Sequence, residues 1–140
     1  MRLNSIALVG SLVAPSQMPI NASAGRAWDA VVDVFASREI PIRMMERASG
    51  FIATDQLGVT GKQARQWTEI CGRHGLFPIV ADRAGYNVLV RGDSAASTVK
   101  VTVRWTHGGA PFEPRLRECR SRNVRESELE AAIKVSAEAH

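Results

Sequence analysis

Cys71 and Cys119 are the side chains here best suited to one specific piece of chemistry. They are too few and too far apart for a zinc site, which takes about four ligands in short-range pairs. A disulfide is the sharper reading, because each cysteine adjoins a loop signal: Gly72 beside one, Arg120-Ser121 beside the other. The bond would close a loop of about 49 residues, for which chain entropy gives roughly 4 kcal/mol. It would also belong outside the reducing cytosol. The other reading is a pair of reduced thiols, one or both buried as small apolar groups. Without a Cys-x-x-Cys motif, redox catalysis is not indicated.

The remaining chemistry is weaker. Five arginines, Arg115, Arg117, Arg120, Arg122 and Arg125, could grip phosphate or anionic lipid through charge-assisted hydrogen bonds. Glu113, Glu118, Glu126 and Glu128 are interleaved with them and cancel part of that field, which suits a solvated loop with internal ion pairs. His74 and His107 lie in glycine-flanked loops and could meet near the bridge beside an acid such as Asp55. Neither belongs to a metal or nucleophile motif, and Gly58-x-x-Gly61-Lys62 lacks phosphate-loop spacing, so no catalytic residue, metal or cofactor is implied. Trp67, flanked by Arg65, either docks a short helix on the sheet or joins a partner-binding surface. No aromatic platform accompanies the arginines, so nucleic acid is not an expected partner.

The elements that must hold these groups begin with a helix over about Ala24 to Arg38. Ser23 is its N-cap, and Trp28, Val31, Val32 and Phe35 share one face. Ile40-Pro41 stops it. Ile42 to Arg47 and Phe51 to Asp55 read as a hairpin turning at Ala48-Ser49-Gly50. Gln56 to Gly75, with four glycines, reads as an irregular insertion around a short helix at Lys62 to Ile70. Three strands follow, Phe77 to Ala81, Tyr86 to Arg91 and Thr98 to Thr106; the last alternates Val99, Val101 and Val103 with Lys100, Thr102 and Arg104, so one face is buried. His107 to Ser121 reads as a long exposed loop. A closing helix spans about Glu126 to Ala139, with Ser127 and Glu130 at capping-box spacing and Leu129, Ile133 and Val135 offered to the core.

With 140 residues, 45% of them apolar and 23% charged, the chain fits one globular α+β domain over residues 18–140. Residues 1–17 form an N-terminal arm or a signal-like segment. Ile6 to Ala14 and the small-x-small Ala22-Ser23-Ala24 suit the latter, whereas the long polar stretch between them suits an extended arm over Ile6 to Val13 with a first strand at Gln17 to Asn21. No apolar run approaches the roughly 20 residues that span a bilayer. The net charge of +4, fifteen of the eighteen basic residues being arginine, favours acidic surfaces mildly.

A short strand leading into the Trp-containing helix Arg26-Ala27-Trp28-Asp29-Ala30-Val31, then Ser49-Gly50-Phe51-Ile52-Ala53-Thr54-Asp55, resembles the repeated domain of BamC-type bacterial envelope lipoproteins. Cys119-Arg120-Ser121 followed by Glu128-Leu129-Glu130 is similar to the ending of some of them. The resemblance covers about Met18 to Ile133 and implies a helix-grip-like fold, in which a curved antiparallel sheet holds a long C-terminal helix beside an early one. It implies a scaffold or binding role in the periplasm or envelope, and it carries over no catalytic residues. No lipobox cysteine appears near the start, a departure from the lipoprotein pattern. The expected function is therefore a non-enzymatic envelope domain binding another protein through Trp67, Arg65, Arg115, Arg117 and Arg120, with an anionic lipid surface as a second partner class. The alternative is a small-molecule or lipid-binding module with an apolar cavity between Trp28, Met44, Phe51 and Ile133.

Overall fold

The computed structural model describes residues 17–108 and 115–139. The Ile6 to Val13 arm and residues 109–114 of the expected long loop lie outside them. A six-stranded antiparallel sheet carries two helices on one face. Its strands are β1 (Met18–Ile20), β2 (Ile42–Glu46), β3 (Phe51–Gly58), β6 (Arg83–Gly92), β7 (Ser97–His107) and β8 (Arg117–Cys119). They run in the order β1-β7-β6-β3-β2, with β8 on the same side of β7 as β1. The sheet is curved and open, and the fold is α+β, with an early and a C-terminal helix as the sequence leads one to expect. One-residue register shifts in the β2–β3 and β3–β6 ladders supply two of the bends that curve it. At the second, the Thr54 hydroxyl accepts the Tyr86 N–H that the shifted ladder leaves over.

Helix α1 (Ala24–Ser37) starts where expected. The Ser23 hydroxyl accepts the Arg26 amide, and Ala27, Trp28, Val31, Val34 and Phe35 are buried at helical spacing. It ends in a Schellman motif: Ile40 N–H donates to Phe35 C=O and Glu39 N–H to Ala36 C=O, while Ile40 packs into the core. The motif puts Glu39 at φ 57°, a left-handed conformation that suits glycine. Glu39→Gly should therefore raise stability by about 0.5–1 kcal/mol. Urea midpoints measure this, and a lower midpoint for the variant would show that the Glu39 side chain stabilises the fold.

Helix α3 (Val124–Glu138) lies beside α1 and buries only Glu126, Leu129, Ile133 and Ala137, a single narrow stripe. Val135 is 71% exposed, because two residues beyond Ile133 is the opposite side of a helix. The expected capping box is replaced by an earlier start. Asn123 stands at the N-cap with φ 60°, and Glu130 faces the sheet, where its carboxylate accepts the Val101 amide. That amide lies in the middle of β7, between the stretches covered by β1 and β8, so the side chain completes an edge the strands leave open.

The Gln56 to Gly75 stretch is ordered rather than irregular. Helix α2 (Gly61–Trp67) begins at Thr60 with a capping box to Gln63, and a separate two-stranded hairpin follows, β4 (Gly72–His74) and β5 (Phe77–Ile79). Phe77 to Ile79 thus leaves the main sheet and pairs only with β4. Likewise, part of the expected long loop is strand β8 on β7. Three-residue strands show no periodicity, and here backbone pairing creates them, β4 with β5 across a tight turn and β8 with the end of β7.

Candidate functional site

α2 and the β4–β5 hairpin are sewn to residues 119–122. Arg122 N–H donates to Trp67 C=O, and Glu69 N–H donates to Arg120 C=O, at 2.9 and 2.8 Å. Thr68 and Ser121 form a bridge between them. Cys71 and Cys119 are joined by a disulfide with Cα atoms 4.5 Å apart, at the foot of the hairpin. Cys119 is in β8, so the bond ties the hairpin to the main sheet.

The sequence-predicted site residues separate around this seam. Trp67 is half-buried, its ring centroid 5.8 Å from that of Trp105, with the Arg125 guanidinium 4.6 Å above its own centroid. It docks α2 on the sheet, and its open edge lines a cleft of about 190 Å³ with Tyr86, Gln63, Arg38 and Arg125. Arg65, Arg115 and Arg120 are exposed. Arg117 is half-buried and its guanidinium lies against Gly72, where an added Cβ would come 2.7 Å from Nη1. The other two arginines of the cluster are structural. Arg122 Nε donates to Thr68 C=O, and Arg125 donates to the Tyr86 hydroxyl and to Glu128. Trp105 is core, stacked edge-on with Tyr86.

The histidines do not converge. His107 Nδ1 lies 2.8 Å from Val80 C=O and 3.5 Å from an Asp82 carboxylate oxygen, Asp55 pairs with Arg43, and His74 is exposed on β4. Among the described residues no group of three or more His, Cys, Asp or Glu side chains is arranged to hold a metal ion. The cavity expected between Trp28, Met44, Phe51 and Ile133 does not form there. Met44 and Phe51 project from the sheet face opposite the helices, because Met44 pairs with Ala53 while the neighbouring Ile52 points into the core. Trp28 and Ile133 are buried on the helical face, so the sheet itself separates the four. The most capacious of the described clefts, about 610 Å³, lies on the solvent side of α1 and α3.

Two acids that sequence reasoning treated as charge partners or caps are buried features of this end. Glu126 accepts from the Ser121 hydroxyl with one oxygen; its other oxygen and the Trp105 indole N–H are buried without a hydrogen bond of good geometry. Desolvation pushes the Glu126 carboxyl above its ordinary value, against the opposing influence of Ser121 and Trp105, and burial does the same to Glu130. A raised carboxyl favours folding only while protonated. Its stabilising contribution is complete below the ordinary glutamate value of 4.5 and is lost as pH rises through the raised native value. The difference between wild type and Glu126→Gln should accordingly shift toward the variant as pH rises from about 4 to about 7. Urea unfolding at both ends of that range measures it, and a pH-independent difference would sink the assignment.

No helix of the described residues is long and apolar enough to cross a membrane. No protein-family model matches the chain, and no curated protein matches it either.

Proposed function

We propose that this chain is a non-catalytic domain of the bacterial periplasm or cell envelope that binds another protein or acts as a scaffold. The observation that carries the reading is the disulfide-braced seam. It holds α2, the hairpin and β8 as one fixed end of the molecule, beside the exposed Arg65, Arg115 and Arg120 and the open edge of Trp67. A backbone braced in advance, presenting arginines and a tryptophan, suits protein recognition, because little loop entropy remains to be lost on binding. The disulfide favours an oxidising compartment. The likeness to BamC-type domains in the α1 and β2–β3 segments points the same way.

The test is site-specific photocrosslinking in envelope fractions, with the photoreactive group at Arg65, Arg115 or Arg120 and, as a control, at Ser136 on α3. The reading expects one discrete protein adduct from the seam positions and none from Ser136. Equal labelling from all four, or none at all, would overturn it.

A further inference from the structure

Eight large apolar side chains are exposed among the described residues, and four of them gather at the stapled end: Ile70, Leu76, Phe77 and Leu116. The other four are divided between β2 and α3, on other parts of the molecule. Leu76 is 92% exposed and Phe77 is 76% exposed. They stand at the apex of the β4–β5 hairpin, where His74 pairs with Phe77 across a two-residue turn of Gly75 and Leu76. Gly75 has φ 62°, which turns the chain tightly enough to put the leucine at the extreme tip. This is a convex projection, not a groove or a flat patch.

The hairpin is layered along its length. Leu76 and the Phe77–His74 pair come first, Arg73 and Pro78 form the next pair, and at the foot the Arg117 guanidinium lies against Gly72 with Arg120 on the strand end beyond Cys119. At a strand rise of about 3.3 Å per residue, Arg73, level with Pro78, lies about 7 Å behind Leu76. Interfacially bound segments bury their apolar face about 5–10 Å into the headgroup and acyl boundary, with cationic side chains left among the headgroups. Of the acids near the hairpin among the described residues, Glu118 is paired with Arg104 and Glu69 is exposed.

We infer that the β4–β5 hairpin is a membrane-contact device, in which Leu76 and Phe77 enter the interface of an anionic bilayer while Arg73, Arg117 and Arg120 engage its headgroups. Charge complementarity selects lipid of negative sign. The convex apex selects a deformable apolar medium over a protein pocket. An isolated two-stranded hairpin is marginal in water, so the Cys71–Cys119 bond at its foot is what lets the tip project without fraying. The inference shares the envelope setting of the proposed function and is independent of its protein partner.

Co-sedimentation of the purified chain tests it, using phosphatidylcholine vesicles with and without about one-third phosphatidylglycerol. Binding is expected to the mixed vesicles, to weaken with salt, and to fall roughly tenfold or more in Leu76→Ser/Phe77→Ser. Both side chains are solvent-exposed, so the variant should keep the wild-type melting temperature, which checks its folding. In a separate Phe77→Trp variant, the additional emission should shift to the blue on vesicle binding, which reports insertion directly. Failure to bind the mixed vesicles overturns the inference. So does binding that survives loss of the tip and depends on the arginines alone, or a Phe77→Trp emission that does not move. If the tip variant loses a protein crosslink in the envelope while vesicle binding is unchanged, the hairpin is a protein-binding element, and the lipid assignment fails while the scaffold reading stands.

Discussion

Replacing both Cys71 and Cys119 by alanine should lower the unfolding free energy by up to about 4 kcal/mol, the loop-entropy value for a closure of this length. The bond joins segments 48 residues apart in sequence, with the hairpin, β6 and β7 between them. The loss should also be uneven. The main sheet keeps its ladders, whereas the hairpin pairs with no other strand and depends on its two-stranded pairing and on contacts at its foot. Hydrogen exchange should accordingly show the amides of 71–79 losing protection before those of β6 and β7. Thiol titration of native protein under non-reducing conditions should find no reactive thiol. Two reactive thiols would remove the compartment argument, and a stability change under about 1 kcal/mol would mean that the seam hydrogen bonds, not the covalent link, hold this end together.

Gly50→Ala should destabilise on the order of 3–4 kcal/mol, about 1–2 of which comes from the left-handed backbone alone. Gly50 has φ 74°, and a Cβ there would come within van der Waals overlap of the Val90 carbonyl oxygen, 2.0 Å away. That neighbour is backbone and cannot rotate aside. It belongs to the residue whose amide donates to Gly50 C=O at 2.8 Å, so relief of the clash would open the end of the β3–β6 ladder. Gly75→Ala is the control. It has φ 62° and nothing within 4 Å, so it should cost only about 1 kcal/mol. Equal effects at the two sites would show that conformational strain, not close packing against β6, is what glycine serves at position 50.

Much of the scaffold was legible because its signals are local. Ser23 followed by apolar residues at helical spacing marks α1, and a serine-glycine turn between apolar runs marks the β2–β3 hairpin. The strict alternation from Val99 to Val103 marks a strand with one wet face. Glu130 was legible only as a capping residue, because its actual partner, the Val101 amide, is orphaned by the incomplete cover of β1 and β8 and cannot be seen from the helix sequence. Trp67 was legible as ambiguous, and its environment depends on Arg125, 58 positions away along the chain and brought above its ring by the packing of α3.

Phe77 to Ala81 reads in sequence as one of three successive strands, yet only Phe77–Ile79 is a strand and it pairs with β4 alone. The amino-acid sequence by itself determined the class of fold, the early helix, the central strands and a cysteine pair able to close a long loop, because each follows from spacing along the chain. Only the tertiary structure decided that residues 67–69 pair with residues 120–122, that the sheet separates Met44 from Trp28, and that Leu76 and Phe77 end at an exposed apex. Those outcomes depend on which backbone groups pair and which face of the sheet the helices cover, and neither leaves a periodic trace in such short segments.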